Sequence, residues 1–200
     1  MSTGAVIGIV IAVLVALAVG AVLLRKARQR QRLRSTFGPE YERTVEGSDN
    51  RTAAEKELAQ REKEHAKLDL RPLTPEVRDS YSRHWTTVQE KFVDDPSGAV
   101  GDADRLVTDL MAERGYPTDG YEKQASLLSV EHSRTLEHYR AAHDISQRQD
   151  RGEASTEDLR NAMVHYRTLF EDLLHTGATS EGAARHGDAV PHDAKGESSV

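Results

Sequence analysis

Residues 155–174 read STEDLRNAMVHYRTLFEDLL, and this stretch decides the fold class of the chain. Its large apolar residues recur at intervals of three and four positions, which is the spacing of one face of an α-helix. Ser155 or Thr156 stands just before them, where a helix N-cap is expected. The stretch therefore predicts an amphipathic helix that buries Leu159, Ala162, Met163, Tyr166, Leu169, Phe170 and Leu173.

The same pattern continues upstream to residue 71. Thr74-Pro75 is a typical helix start, because proline is tolerated in the first turn. Two further amphipathic segments follow, with a short one between them. Gly115-Tyr116-Pro117 ends the first of the two, and Gly152 ends the second. No segment alternates apolar and polar residues as a half-buried strand does. The sequence thus predicts an all-α chain, with a small helical bundle over residues 71–175.

Residues 37–70 are predicted to form a linker and a charged helix. The stretch 40–51 is expected to be irregular, and Thr52 with Glu55 has the spacing of a capping box that opens a helix. Leu58 is the one large apolar residue in the first four turns of that helix, so a solvated stalk or an edge helix is expected. Residues 176–200 are small and polar, which predicts a disordered tail.

Residues 5–24 are continuously apolar and long enough to predict a transmembrane helix. No basic residue precedes them, which argues against a cleaved signal peptide. Basic residues that flank a membrane span are retained on the cytoplasmic side, and here they follow the span. The prediction is therefore a plasma-membrane protein with residues 1–4 outside, a basic juxtamembrane helix extension over residues 25–36, and a cytoplasmic domain. The lipid bilayer is accordingly a predicted partner. The residues predicted to set this topology are Arg25, Lys26, Arg28, Arg30, Arg32 and Arg34.

Small residues recur every fourth position along the same helix. Such a stripe allows two helix backbones to approach closely, so a homodimer through this face is a hypothesis, although glycine and alanine are common in membrane spans in any case. The stripe consists of Gly4, Gly8, Ala12, Ala16 and Gly20.

The charge balance excludes several classes of function. The formal net charge is -6, and all the acidic residues lie beyond residue 34. An acidic domain repels phosphate backbones, so no nucleic-acid partner is expected. The chain has no cysteine, which excludes disulfides, thiolate zinc sites and a cysteine nucleophile.

Nine histidines do not form a recognisable site by their spacing. The one Glu-x-x-His pair, Glu62 and His65, lies on the charged helix, and His138 and His143 do not share a helix face. Glu131-His132 and His143-Asp144 are adjacent pairs, and neighbours at i and i+1 do not face each other on a helix, so they are not expected to form an acid-base group with Tyr139. The sequence therefore predicts no catalytic residue, no metal and no cofactor.

Trp85 is the single tryptophan, flanked at helical spacing by Tyr81 and Phe92. An aromatic stripe of this kind is usually part of a core, with the indole N–H bonded at its rim. The alternative is a groove for a protein partner, formed by these three side chains.

Five stretches resemble an uncharacterised family of bacterial single-pass membrane proteins that is frequent in actinobacteria. They are residues 37–41 (FGPEY), 85–94 (WTTVQEKFVD), 114–117 (RGYP), 155–160 (STEDLR) and 163–167 (MVHYR). The resemblance implies a helical cytoplasmic domain at a bacterial plasma membrane. It implies no activity, ligand or catalytic residue.

The function predicted from these features is a membrane-anchored interaction or scaffold module that binds an unidentified protein. The alternative is an enzyme or small-ligand sensor with a pocket in the bundle. A pocket ringed by converging Glu, His or Arg would favour the enzyme, whereas an exposed apolar groove near Trp85 would favour binding.

Overall fold

A computed structural model describes residues 3–176, with the side chains of residue 4 and of residues 11–176. Within this part the chain is all α-helical and has no strand, which confirms the predicted fold class at that level. The predicted disordered tail lies outside the described residues except for Thr176. The helices are α1 (Thr3–Phe37), α2 (Pro39–Glu46), α3 (Arg51–His65), α4 (Pro75–Lys91), α5 (Pro96–Glu113), α6 (Tyr121–Glu131), α7 (Leu136–Asp150) and α8 (Thr156–His175).

The described chain divides into two compact units. Unit 1 comprises residues 3–67 and 125–136, and unit 2 comprises residues 68–124 and 137–176. The helical pattern placed residues 125–136 in the bundle, whereas they group with α1 to α3. The reason is that Val130 packs against the apolar cluster of unit 1.

The core of unit 1 is a small cluster of Leu33, Phe37, Tyr41 and Leu58, with Val45 packed against it. Two of these residues lie on α2 (Pro39–Glu46), which occupies a stretch that the sequence analysis wrongly expected to be irregular. Gly38, with a φ of 48°, ends α1, and Pro39 then stands in the first turn of α2. A positive φ is accessible to glycine at little cost, so the chain can turn here between two helices.

The third helix is not the solvated stalk that its charged sequence suggested. Leu58 and Ala54 are fully buried, so a single large apolar residue attaches α3 to the core. The helix begins at Arg51, two residues earlier than a cap at Thr52 would place it, because the Asn50 side chain accepts a hydrogen bond from Ala53 N at 2.9 Å. The Tyr41 hydroxyl donates to Glu55 at 2.9 Å and connects α3 to α2.

Leu58→Ala should destabilise unit 1 by about 2–4 kcal/mol, because it removes most of the apolar surface by which α3 is buried and leaves a cavity. Hydrogen exchange of the α2 and α3 amides measures the loss. Lys56→Ala, an exposed change on the same helix, should alter protection by less than about 0.5 kcal/mol. Equal protection in the two variants would contradict the assigned role of Leu58.

In unit 2, helix starts are fixed by local caps. Thr74 caps α4, Asp95 caps α5, and Ser155 forms a reciprocal capping box with Asp158 at the start of α8. Helix α5 packs against both α4 and α8. The buried face predicted for residues 155–174 is confirmed in every position: Leu159, Ala162, Met163, Tyr166, Leu169, Phe170 and Leu173 are all buried.

Among the residues that the structure describes, no helix is both long and apolar enough to span a membrane. This finding contradicts the predicted transmembrane helix over residues 5–24 and the predicted plasma-membrane location. Within α1 the charged residues Arg25, Lys26 and Arg28 directly follow the apolar stretch.

Candidate binding surfaces

The basic residues of α1, predicted to set membrane topology, divide into two groups in the structure. Three of them form ion pairs with carboxylates of α2 and α3, and so hold unit 1 together. Sequence reasoning missed this role because the partners lie 8 to 30 positions away. The pairs are Arg30 with Glu55 (3.7 Å), Arg32 with Glu62 (3.0 Å) and Arg34 with Glu42 (2.9 Å).

A fourth ion pair in unit 1 is largely buried. Arg61 of α3 donates to Glu40 of α2 at 2.9 Å, and the Glu40 side chain is 3% exposed. Removing one partner of a buried pair leaves an uncompensated charge in the interior, which is strongly destabilising. The pair therefore fixes α2 against α3.

The other basic residues of α1 lie on an open surface. Arg25 and Arg28 line a groove of about 540 Å³ between α1 and α3, together with Lys63 of α3. Lys26 is exposed and does not line it. We call this surface the basic groove.

The small-residue stripe predicted to form a dimer contact lies on α1. Gly4, Ala12, Ala16 and Gly20 are in the described part of the helix, whereas the surroundings of Gly8 lie outside it. A Cβ added at Gly4 or Gly20 would meet no atom within 4 Å. Large side chains nearby, such as Leu17, are more than half exposed. The homodimer stays a prediction.

Trp85 lies at the centre of the second candidate surface, in unit 2. It is 6% exposed, and its ring stacks on Phe170 of α8 with centroids 4.8 Å apart. Trp85, Phe92, Met163 and Val164 line a groove of about 210 Å³ between α4 and α8. We call this surface the Trp85 groove. Trp85 is thus part of the core and also lines a concavity. The groove for a protein partner stays a prediction.

The structure brings together two of the three residues predicted to form a partner groove. Phe92, at the C-cap of α4, lines the Trp85 groove, whereas Tyr81 does not. Burial raises the pKa of Tyr81, and the α5 carboxylates Glu113 and Asp109 raise it further. Tyr81 therefore lies toward α5 and away from the groove.

The rim of the Trp85 groove is cationic. Arg160 and Arg167 lie seven residues apart on α8 and line the groove along with Gln89. Arg160 pairs with Glu157, and Arg167 pairs with Glu171 at 2.7 Å, both on the exposed surface of the same helix. Exposed pairs of this kind contribute at most about 1 kcal/mol. The guanidinium groups can therefore exchange these carboxylates for those of a ligand at little cost.

The indole N–H of Trp85 is buried and has no hydrogen-bond partner within the described structure. The expectation that it is bonded at the rim was wrong. An unsatisfied buried donor costs roughly 1–3 kcal/mol.

The lining of the Trp85 groove contains no carboxylate and no imidazole. General acid-base catalysis needs such a group within hydrogen-bond reach of a substrate. The alternative prediction of an enzyme or small-ligand sensor in the bundle gains no support here and stays a prediction.

Buried tyrosine hydroxyls form a polar cluster that the sequence did not reveal. The Tyr166 hydroxyl of α8 donates to Asp104 of α5 at 2.8 Å, and the Ser146 hydroxyl of α7 lies 2.9 Å from the Tyr166 hydroxyl oxygen. Tyr139 of α7 donates to Gln124 at 2.9 Å. Burial and the nearby Asp104 carboxylate raise the pKa of both tyrosines, so the hydroxyls stay protonated. Their role is to join helices.

Two histidines meet across α7 and α8. The Nδ1 atoms of His138 and His165 are 2.9 Å apart, so one of them donates to the other. In the part of the chain that the structure describes, no group of three or more His, Asp or Glu residues is placed to hold a metal ion. Burial lowers the pKa of His165, and His138 lowers it further. The pair is a proton-sharing contact between helices.

Unit 2 should lose stability as the pH falls from about 7.5 to 5.5. The pKa of His165 is lower in the folded state than its ordinary value of 6.5, so the unfolded chain binds more protons in this range. Urea unfolding followed by Trp85 fluorescence measures the loss. His165→Gln should reduce the pH dependence of the free energy of unfolding. His175→Gln, in the exposed last turn of α8, should leave that pH dependence unchanged. An unaltered pH dependence in the His165 variant would contradict this account.

Comparisons of the chain with protein-family models, with curated proteins and with solved structures found no match. The resemblance to a bacterial family therefore stays a prediction.

Proposed function

We propose that the chain is a protein-interaction module and that the Trp85 groove is its docking surface. The partner is an acidic amphipathic segment that inserts an aromatic or large aliphatic side chain between α4 and α8. The observation that supports this proposal most directly is an apolar groove with an arginine at each end of its α8 side.

The floor of the groove has the composition of an interaction hot spot. Aromatic residues and arginine are enriched in such sites, where a central anchor is desolvated. Met163 adds an adaptable side chain that can accommodate different anchors. Val164 is 57% exposed although it lies beside Trp85 in the groove lining. A partner that covers Val164 gains apolar burial.

The rim selects the charge of the partner. Arg160 and Arg167 are separated by about 10.5 Å along the axis of α8. Two carboxylates seven residues apart on a partner helix have the same separation. Charge-assisted bonds to arginine are stronger than neutral ones and can be bidentate. A segment with one apolar anchor between two such acids therefore fits both the floor and the rim.

The test uses two synthetic helical peptides that share one phenylalanine anchor and differ in the two flanking residues, which are glutamate in one peptide and lysine in the other. The acidic peptide should shift the emission of Trp85, the single tryptophan, in the full-length chain. Val164→Glu should weaken binding by roughly tenfold or more, because it places a charge on the apolar floor. A charge-reversed Arg160→Glu/Arg167→Glu chain should prefer the lysine peptide.

Val93→Glu is the matched control. Val93 is 82% exposed and close in sequence to Phe92, yet it does not line the groove. It should change the affinity by less than about twofold. Equal losses in the Val93 and Val164 variants, or no preference between the two peptides, would sink the proposal. If removal of residues 177–200 shifts Trp85 emission and tightens peptide binding, the groove is occupied by the chain's own tail, which contradicts an external partner.

A further inference from the structure

We propose that the basic groove of unit 1 is a binding site for a phosphate monoester with an apolar body. The site is distinct from the Trp85 groove and independent of the protein partner proposed for it. The proposal rests on three cationic side chains without carboxylate partners that converge on one concave surface.

The charge of the groove is not neutralised by its own residues. Arg25, Arg28, Arg32 and Lys63 line it, and Glu62 is the one carboxylate among the lining residues. Glu62 is already bound by Arg32 at 3.0 Å. Arg25, Arg28 and Lys63 form no ion pair with any described residue. Three positive charges that face the same space create a local field that attracts a multivalent anion.

The arrangement follows from the spacing along the two helices. Arg25, Arg28 and Arg32 lie three and four positions apart, which places them on one face of α1. Ala59 and Lys63 of α3 and its C-cap residue Ala66 share a face in the same way. The two alanines carry no side chain beyond Cβ and so leave room between the helices. The cationic groups therefore line an open groove between α1 and α3, which the Arg32–Glu62 ion pair bridges.

Part of the groove lining is apolar. Leu33 is almost fully buried in the unit 1 core and, with Ala59 and Ala66, lines the groove. The volume of about 540 Å³ is far larger than a single phosphate group requires and falls within the range of small-molecule sites. A ligand that fills the groove needs an anionic head for the cations and an apolar body for the rest of the lining.

A phosphate monoester meets both requirements. Its head carries a charge of about -1.5 to -2 near neutral pH and three acceptor oxygens. Arginine binds phosphate through two parallel N–H donors, and lysine adds a third donor as a point charge. Arg25 and Arg28 on α1, with Lys63 opposite on α3, supply this combination. A monovalent carboxylate would neutralise less of the positive charge.

The experiment is a ³¹P NMR titration of the full-length chain with three probes. 1-Naphthyl phosphate carries both parts of the proposed ligand, inorganic phosphate carries the head alone, and dihexanoyl phosphatidic acid replaces the aryl body by acyl chains. 1-Naphthol, followed by its own fluorescence, carries the body alone. We expect one of the two esters to bind at least about tenfold tighter than inorganic phosphate, and 1-naphthol not to bind. Preference for the aryl or the acyl ester identifies the source of the ligand.

Arg28→Glu should weaken binding of the preferred ester by about tenfold or more, because it removes a charge-assisted contact and adds a repulsive one. Lys26→Glu makes the same change of charge two positions away on the same helix, outside the groove. It should have less than about a threefold effect, since exposed charges are screened beyond roughly 8 Å in physiological salt. Ala66→Leu, at the exposed C-cap of α3, should narrow the groove and reduce ester binding without reducing inorganic phosphate binding.

Equal losses in the Arg28 and Lys26 variants would mean that the chain attracts anions through its overall field and not through this groove, and would overturn the proposal. Equal affinity for inorganic phosphate and both esters would overturn the assigned apolar body. Circular dichroism of each variant separates a loss of binding from a loss of helix. The peptide assay at the Trp85 groove should be unaffected by Arg28→Glu, so the two proposals can fail separately.

Discussion

The buried hydroxyl of Tyr166 is the constraint on which unit 2 depends. A phenol that is taken out of water must find partners for its hydroxyl, and here the partners are Asp104 on α5 and Ser146 on α7. The apolar face of α8 packs against α5, and the two hydrogen bonds add a directional constraint on its position along the axis. The placement of Trp85 against Phe170, and with it the Trp85 groove, follows from that register.

Unit 1 is held together more by ion pairs than by buried apolar area. Its apolar cluster contains four large residues, and the ion pairs of Arg30, Arg32, Arg34 and Arg61 surround it. Exposed pairs contribute little individually, but the buried Glu40 carboxylate makes one of them obligatory. Helix α1 thus uses its last three basic residues, Arg30, Arg32 and Arg34, for cohesion and leaves Arg25 and Arg28 for the solvent-facing groove.

The parts of the fold that the sequence could predict are those set by local chemistry. Thr74 and Ser155 mark helix starts because each cap bonds an amide only three residues away. Leu58 was misjudged because its burial depends on Leu33 and Phe37, which lie on another helix. The short α2 was missed because Gly38-Pro39 reads as a stop and can equally start the next helix. The meeting of His138 and His165 depends on the packing of α7 against α8, which no spacing within one helix shows.

Gly115 adds a consequence for recognising relatives of this chain. It has a φ of 94°, and a Cβ at this position would lie 2.3 Å from the carbonyl oxygen of Asp69. Both the backbone conformation and the segment at Asp69, which crosses close to Gly115, therefore exclude a side chain. Any homologue that preserves this crossing must keep glycine here even where its surface has diverged beyond recognition. A search that requires this glycine and the tyrosine after it would find distant homologues that share this backbone geometry, even where overall sequence similarity is low.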